Sequence, residues 1–436
     1  MRMRDMGCTI SSRNEETRKY SDSRQTSSGP EQTEAWILGT GTASLASAFY
    51  LIKHAKIPPQ KVHILESRDS VQEVFHQIGD SSSGYDQFAG CLPAPIGGSL
   101  KEILACIPSS MPSIPGQVHS FLRDIQSAEV NRHFAKESSG TEFLIQKHRM
   151  LRTIATGSLN LNFKHRLSLI WLILKREKRL GRNQIKDFFP EHFFLTPFWA
   201  IWSAQFGLQP WHSAVEFRRA LLQYLDEFHS LSILNCLDIT GHYQYESIFL
   251  PIYLFLRALN VDFQFDTKIT GMVTTSHNDV QTISRLEVIQ NGFQSRKELG
   301  PYDIVIATLG STESGTAKGS NDDQPVTSSF DAYEDLNENW SLWFALASQD
   351  KKFGNPYNFC TRRSESMLES FTITTEDLPF FNHLTSLSQT TLTTGAFIVL
   401  RESQWKLNLC IPAQPVFRHQ PEFVRVPWGV RTLPRG

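Results

Sequence analysis

The clearest chemical pattern in this chain consists of three small residues in a glycine-rich turn and a glutamate that follows it. Gly39, Gly41 and Ser44 lie in the run Gly-Thr-Gly-Thr-Ala-Ser, directly after the apolar segment 35–38. Gly39 permits a tight turn, Gly41 lets the backbone approach a pyrophosphate at a helix N-terminus, and the small Ser44 allows close packing of helix on strand. Glu66 ends a second apolar run, where a carboxylate would accept a ribose hydroxyl. The pattern predicts a dinucleotide-binding βαβ unit.

Two strands and a helix must hold this turn in place. The apolar run before the turn predicts a buried strand, the Ala-rich segment 44–52 predicts a helix, and 62–66 predicts a second strand. Two later segments, 262–269 and 302–310, have the alternating or apolar pattern of further strands in the same domain. The second of them is either a plain core strand or one that ends at the cofactor. These segments add three predicted cofactor-binding residues: Ile269, Thr308 and Gly310.

Composition and charge exclude several classes of function. The chain has 436 residues, enough for two or three domains, and its 43 Lys+Arg against 44 Asp+Glu give a net charge of −1. Because no global positive field exists to hold a polyanion, nucleic acid is not expected as a partner. The cysteines form no CxxC pair, which argues against a disulfide scaffold and a zinc site, so no metal is predicted.

The N-terminal region differs in composition from the rest. Residues 1–33 are rich in Ser, Thr, Arg and Glu and have too few apolar side chains to repay the entropy of ordering, so a disordered tail is expected. They also lack the apolar core of a secretory signal. The longest apolar run, 248–259, is interrupted by Pro251 and Arg257 and is shorter than the roughly 20 residues that a bilayer span needs. We therefore expect a soluble, cytoplasmic protein.

A basic segment in the helical middle of the chain has two interpretations. Residues 164–182 carry seven positive charges and one negative charge, around the apolar centre 167–174. The segment is either an element that meets an anionic membrane surface or attracts carboxylate substrates, or a buried helix with a solvated end. The first interpretation predicts a cytoplasmic protein with peripheral membrane contact through 164–182.

An aromatic cluster follows, between residues 193 and 211. Trp199, Trp202 and Phe206 have largely helical spacing, which is typical of a core but also suits the lining of an apolar cavity. His212, at the end of the cluster, is either a core histidine with its hydrogen bonds satisfied or a substrate contact.

Several sequence words together resemble one known family. They are Gly39-Thr-Gly41-Thr-Ala43-Ser44-Leu45-Ala46, Phe198-Trp199, Gln209-Pro-Trp-His-Ser-Ala-Val-Glu-Phe-Arg-Arg219, Tyr243-Gln-Tyr-Glu-Ser247 and Gly319-Ser-Asn-Asp322. On these words the chain is similar to the oleate hydratases, also called myosin-cross-reactive antigens, from about residue 35 to residue 430.

The resemblance implies an FAD-binding enzyme that adds water across a cis double bond of an unsaturated fatty acid such as oleate or linoleate. The product is a 10-hydroxy fatty acid, and there is no net redox change. Gln244 would lie near the fatty-acid head group, Gly97 and Gly98 would contact FAD, and a homodimer is compatible with the family. Trp199, Trp202, Phe206 and His212 would then hold the acyl chain in an apolar tunnel.

Two positions depart from the family pattern. The glutamate that activates water in the family is replaced by Leu100, and Glu102 is a displaced substitute. The tyrosine that donates the proton is replaced by Ala220, and Tyr224 lies one helical turn further on roughly the same face. Glu102 and Tyr224 are therefore the candidate catalytic residues, as weak substitutes.

Three functions follow from these observations. The first is a working FAD-dependent hydratase with displaced catalytic groups. The second is a catalytically degenerate homologue that still binds flavin and fatty acid. The third is a flavin oxidoreductase or isomerase on the same scaffold, because a fold alone does not fix the chemistry.

The predicted fold class is α/β, with an FAD-binding Rossmann-like (doubly wound) domain, an inserted and largely helical substrate domain, and a mixed α+β C-terminal part. The predicted boundaries are 1–33 for the tail, 34–150 for the first part of the FAD-binding domain, 151–260 for the helical segment, 261–310 for the return to the FAD-binding domain, and 311–436 for the C-terminal part of the substrate domain. The resemblance implies that the family's C-terminal helices are absent from this chain.

Overall fold

A computed structural model of the chain describes part of the sequence. The described residues are 29, 31–70, 79–85, 98–109, 120–121, 142–147, 150–153, 159–223, 245–277, 280–308, 317, 319–325, 338–360, 368–388, 396–400, 402–405, 407–411, 414–417 and 420–431.

The described residues form fifteen strands and ten α-helices. The strands are β1 (Ala35–Leu38), β2 (Val62–Leu65), β3 (Gly79–Asp80), β4 (Gly84–Tyr85), β5 (Glu142–Lys147), β6 (Met150–Thr153), β7 (Asp262–Gln264), β8 (Thr267–His277), β9 (Val280–Gln290), β10 (Phe293–Glu298), β11 (Ile304–Ala307), β12 (Glu369–Thr372), β13 (Ala396–Leu400), β14 (Leu407–Ile411) and β15 (Trp428–Arg431). The α-helices are α1 (Thr42–Lys53), α2 (Gly98–Cys106), α3 (Phe163–Leu174), α4 (Glu177–Leu180), α5 (Pro197–Phe206), α6 (Ala214–Gln223), α7 (Leu250–Ala258), α8 (Glu338–Gln349), α9 (Tyr357–Cys360) and α10 (Leu378–Ser388). Short 3-10 helices cover Pro59–Lys61, Ile185–Asp187, Glu191–Leu195 and Lys351–Phe353, and a π-helical turn covers Tyr245–Phe249.

A four-stranded parallel sheet carries the glycine-rich turn. Its strand order is β11-β1-β2-β7, and every neighbouring pair is parallel. β1 is buried along its whole length, as expected for a central parallel strand covered by helices. The predicted α/β class with a parallel sheet is confirmed.

Two helices cover one face of this sheet. Leu45 and Phe49 of α1, and Ile252 and Leu256 of α7, are buried in one apolar cluster with the strand residue Ile37. α7 falls in the helical segment predicted over 151–260, yet it packs in the core of the parallel sheet. Its apolar character explains the packing, since four buried side chains in two and a half turns need a large apolar partner. The domain boundaries themselves stay predictions.

An antiparallel three-stranded sheet follows β7 directly, in the order β10-β9-β8. The predicted single strand 262–269 is divided into β7 and β8 because Asp266 takes a left-handed backbone conformation, with φ at 45°. β9 and β10 are joined through Asn291 and Gly292, both with positive φ, which is the chemistry of a tight hairpin turn.

A mixed six-stranded sheet has the order β12-β15-β14-β13-β5-β6, with β13 parallel to β5. Phe381 of α10 is fully buried against it, with Leu144 and Ile398. β5 lies in the predicted first part of the FAD-binding domain, and β6 begins at its last residue. In the structure β5 pairs with β13 of the C-terminal part, and β6 pairs with β5. Pairing partners so distant in sequence leave no local pattern that could have predicted them.

The helices α3 to α6 form a separate apolar cluster. Each of its main helices has a clear start signal: the Asn162 side chain accepts from the backbone N–H of His165 at the start of α3, and Thr196 caps α5 with Pro197 in its first turn. The segment 164–182 forms two helices, α3 and α4, because Lys175 and Arg176 have extended backbone angles. Leu169 and Leu172 of α3 are buried, but other apolar residues of this helix are exposed.

His165 lies on the buried side of α3 and gives the fold a dependence on pH. It is 2% exposed, its ring lies 4.7 Å from that of His192, and neither ring nitrogen has a hydrogen-bond partner among the described residues. Burial, followed by the charge of His192, lowers the pKa of His165. Because the folded state favours the neutral ring, the contribution of His165 to stability is fully present above pH of about 6.5, the usual pKa of a histidine in an unfolded chain. The contribution is lost as the pH falls below that value toward the lower pKa of the folded state.

We therefore expect His165→Phe to reduce the loss of stability on acidification. The wild-type chain should lose unfolding free energy through this group between pH 7.5 and pH 5.5, and the variant should not. Melting curves at the two pH values measure the difference. The exposed His383 provides the control, and an equal effect of His383→Phe would contradict the assignment.

Candidate functional site

The glycine-rich turn connects β1 to α1 at the carboxyl edge of the parallel sheet. Gly39 has a φ of +92°, and its backbone N–H donates to the carbonyl of Leu65 at 2.8 Å. Gly41 precedes α1 and has no atom within 4 Å of where a Cβ would be. The first turn of α1 contains no acidic residue, so the positive end of its dipole is available to an anion.

Ser44 and Thr308 hold the turn against the neighbouring strand. Their hydroxyl oxygens are 2.9 Å apart, and the Thr308 hydroxyl donates to the carbonyl of Leu38 at 2.7 Å. A Cβ on Gly39 would lie 3.1 Å from the Thr308 Oγ1. The three predicted residues Gly39, Ser44 and Thr308 are therefore brought together, and the space between them is filled.

Glu66 lies at the end of β2 and is buried. Its Oε2 accepts from both the backbone N–H and the hydroxyl of Thr40, at 3.1 and 2.5 Å. Its Oε1 accepts from the Ser67 hydroxyl at 3.3 Å and from the Arg68 backbone N–H at 3.1 Å. The carboxylate is thus oriented by four hydrogen bonds, of which the one from Ser67 is the longest.

Thr40 is a site residue that sequence reasoning missed. It occupies the variable position between the two glycines, and its side chain is nearly fully buried against Glu66. A hydroxyl residue at that position, followed by a carboxylate at the end of the next strand, is the signal that could have revealed the pair.

The other predicted cofactor-binding residues lie in different places. Ile269 is buried in β8, in an apolar cluster with Trp36 and Leu65. Gly98 begins α2. Gly97 and Gly310 lie outside the described residues. Contact of any of these residues with a cofactor stays a prediction.

Glu102, a predicted catalytic residue, lies beside the C-terminal end of α1. Its carboxylate accepts from Lys53 Nζ at 2.9 Å, from the Tyr50 hydroxyl at 3.2 Å and lies 3.2 Å from His54 Nε2. Burial raises the pKa of Glu102, but the hydrogen bond and the charge of Lys53 act in the opposite direction. The pKa of Glu102 is lower than its ordinary value as a result. Its partner Lys53 is the last residue of α1, about 18 Å along the helix from Gly41 at 1.5 Å per residue. The geometry favours an ion pair that joins α1 to α2.

The second predicted catalytic residue, Tyr224, and the predicted head-group residue, Gln244, lie outside the described residues. Their roles stay predictions. Of the two positions that depart from the family pattern, Leu100 is half-buried against the core of the parallel sheet, and Ala220 is half-buried against the helical cluster.

The predicted substrate-binding aromatics lie in the helical cluster. Trp199 and Trp202 are buried, and their rings meet that of Phe217 edge to face, at 5.7 and 5.6 Å. Phe206 is half-buried, and its ring lies 4.9 Å from that of Trp202. His212 is buried, and its Nδ1 accepts from the backbone N–H of Gln209 at 3.3 Å. The geometry favours a packed core, and contact of these residues with a substrate stays a prediction.

Comparison with known proteins identifies the family. The sequence profile of the MCRA family matches residues 32–435. The chain belongs to the MCRA family. The family predicted from the sequence words is thereby confirmed.

The chain covers only part of the length of two similar proteins. An oleate hydratase of Streptococcus pyogenes serotype M49 is 30% identical over 407 residues, which are 92% of this chain and 66% of that protein. A linoleate hydratase of Lactiplantibacillus plantarum is 29% identical over 301 residues, which are 65% of this chain and 52% of that protein. The chain spans about two thirds of the first relative and about half of the second.

Two solved structures match this MCRA-family chain at lower sequence identity. An oxidoreductase from Methanosarcina mazei is 12% identical, with a TM-score of 0.43, over 92% of this chain and 79% of its own. The CLA-producing fatty acid isomerase from P. acnes is 10% identical, with a TM-score of 0.36, over 93% of this chain and 78% of its own.

Two further features of this MCRA-family chain concern metals and membranes. Among the described residues, no three His, Cys, Asp or Glu side chains lie close enough together to hold a metal ion. Within the same part of the chain, no helix combines the length and apolar character that crossing a bilayer requires.

Proposed function

We propose that this chain is an FAD-dependent, oleate hydratase-like protein. It would bind an unsaturated fatty acid such as oleate or linoleate and add water to a cis double bond, giving a 10-hydroxy fatty acid. The observation that carries the proposal is the glycine-rich turn with its buried glutamate, in a chain of the MCRA family that is similar to two fatty acid hydratases.

The residues of the turn fit FAD in two respects. The open space at Gly41 and the absence of an acidic residue from the first turn of α1 suit a pyrophosphate. Glu66 is oriented at the end of β2, where the adenosine ribose of a dinucleotide lies. A ribose hydroxyl would replace the weak hydrogen bond from Ser67, since the other three donors lie closer to the carboxylate. When bound, FAD would supply an extended aromatic ring system, and the hydration itself transfers no electrons.

Hydration of an unactivated double bond requires a proton donor and a group that activates water. Leu100 and Ala220, at the two family positions, can do neither. Glu102 and Tyr224 are the substitutes that we propose for these steps, which also require a site that excludes bulk water.

The bonds of Glu102 to Lys53 and Tyr50 favour a second candidate function. A carboxylate held in an ion pair is a poor base, and loss of one general acid or base costs about 10²–10⁴ in rate. The second candidate is a homologue that binds flavin and fatty acid without turnover.

Isotope labelling distinguishes the candidates. Purified chain is incubated with FAD, a reductant and oleic acid in ¹⁸O-labelled water, and the lipid is analysed by mass spectrometry. A labelled hydroxy fatty acid supports hydration, and its loss in Glu102→Gln with flavin still bound would support the catalytic role of Glu102. Flavin-loaded protein without product supports the binding-only homologue, and in that case Leu100→Glu with Ala220→Tyr should raise hydration. Consumption of oxygen with substrate would instead favour a flavin oxidoreductase.

We also expect Thr40→Val to weaken FAD binding by about fivefold, because a hydrogen bond to a charged group contributes about 1.5–3 kcal/mol and part of this orients Glu66. Fluorescence titration of the flavin measures the dissociation constant. Thr270→Val, on the antiparallel sheet, is the control. Tighter binding in Thr40→Val would mean that Thr40 competes with the ribose instead of orienting its partner.

A further inference from the structure

Helix α3 exposes a continuous apolar surface. Five of its large apolar side chains are between 45% and 76% exposed: Phe163, Leu167, Ile170, Trp171 and Leu174. We call these five residues the α3 face. At about 100° per residue they fall within an arc of roughly 100° on one side of the helix. Single exposed apolar residues are ordinary, but an aligned set of five is typical of an interaction surface.

The helix cannot turn this face inward. Its opposite side is already buried, since Leu169 and Leu172 lie in the helical cluster. The last turn is also fixed, because the Arg218 Nε donates to the carbonyl of Ile173 at 3.2 Å. The α3 face is therefore a permanent part of the surface of the described structure.

Positive charge surrounds the α3 face. Lys164 and Arg166 are exposed and flank the apolar arc, one on each side. Beyond the helix lies the basic end, which we define as residues 175–182. Its Lys175 Nζ lies 5.2 Å from the centre of the Trp171 ring, so the cationic end directly adjoins the apolar face.

The one acidic residue of this region does not offset that charge. Glu177 accepts two hydrogen bonds of 2.9 Å from the Arg219 guanidinium and lies 3.6 Å from the Arg218 Nη1. The hydrogen bonds from Arg219 lower the pKa of Glu177. The charge of Glu177 is thus paired with two arginines of α6. The basic end therefore presents an excess of positive charge beside the α3 face.

We propose that the α3 face and the basic end dock onto an anionic lipid bilayer. α3 would lie in the plane of the headgroups, with its apolar side chains at the acyl boundary and its cations among the lipid phosphates. A second copy of the chain fits this surface less well, because like charges would meet in either two-fold arrangement. Parallel helices would place the two basic ends side by side, and antiparallel helices would place each basic end beside Lys164 and Arg166 of the other copy. The inference does not depend on hydratase activity.

Vesicle sedimentation tests the proposal with the full chain loaded with FAD. The wild-type protein should pellet with vesicles of phosphatidylcholine and phosphatidylglycerol in equal parts, and much less with phosphatidylcholine alone. Raising the salt from about 0.1 M to 1 M shortens the Debye length from about 10 Å to about 3 Å and should release much of the bound protein.

Two variants separate the apolar and electrostatic contributions. Lys178→Glu with Arg179→Glu should lower the partition coefficient by at least about tenfold, since each basic residue near an anionic surface contributes several-fold. Trp171→Ser with Leu174→Ser should lower it by about tenfold through lost apolar contact. All four residues are exposed, so both variants should melt as the wild type does.

The matched control is Phe293→Ser with Arg296→Glu, an exposed apolar and basic pair on β10. It should leave pelleting unchanged. Equal pelleting with both kinds of vesicle would overturn the proposal, and so would an equal loss in the control. If the chain forms dimers without lipid and the α3 variants dissociate them, the α3 face binds a second copy of the chain. That result would also overturn the proposal.

Discussion

Replacing Gly39 by alanine should weaken FAD binding roughly 10- to 100-fold, the equivalent of about 1.4–2.8 kcal/mol. A side chain at a φ of +92° strains the backbone, and the added methyl group would lie 3.1 Å from the Thr308 hydroxyl oxygen. Either β11 must move away from β1 or the turn must open, and both changes displace the backbone N–H groups that would approach the pyrophosphate. Flavin fluorescence titration measures the change.

Gly292 is the matched control for this prediction. It also has a positive φ, of +78°, but nothing lies within 4 Å of its Cβ position, and it belongs to the β9–β10 hairpin. Gly292→Ala should therefore cost a similar strain energy, about 1 kcal/mol, and leave FAD affinity unchanged. If both variants lost affinity equally, global stability and not the shape of the turn would control binding.

Trp202→Ala should lower the free energy of unfolding by about 3–5 kcal/mol. Trp202 is 1% exposed, and its ring contacts those of Phe198, Phe206 and Phe217. Removing it would leave a cavity between α5, α6 and the residues that pack on them. Urea unfolding followed by circular dichroism measures the loss.

A second tryptophan gives the comparison. Trp171 is 65% exposed, and Trp171→Ala removes only a cation–π contact with Lys175, worth at most about 1 kcal/mol. A small effect of Trp202→Ala on stability, together with a large loss of fatty-acid binding, would contradict the core interpretation and favour a cavity lining.

The βαβ unit was predictable because its signals are local. β1 coincides with the apolar run 35–38, and α1 follows from the Ala-rich segment and ends before Pro58. The glycines mark the turn directly, since a positive φ at Gly39 needs a residue without a side chain. The small size of Ser44 predicted close packing of helix on strand, but it did not predict that Thr308 would be its partner.

The remaining features depend on contacts that sequence patterns do not contain. The hydrogen bond from Lys53 to Glu102, for example, joins two helices that are far apart in the sequence. The apolar residues of α3 surround the whole helix, so periodicity could not distinguish its buried face from its exposed one. The break at Lys175 has no glycine or proline to announce it.

The order in which the strands are synthesised affects how the chain folds. β1 has β2 on one side, but its other partner, β11, begins only at Ile304, and β5 pairs with β13, which begins at Ala396. Until those segments leave the ribosome, both strands have an open hydrogen-bonding edge. Closing such long loops is slow, and unpaired edges attract other chains. We expect nascent chains to need protection of these edges until β11 and β13 have been synthesised, so extra chaperone during expression should raise the soluble yield.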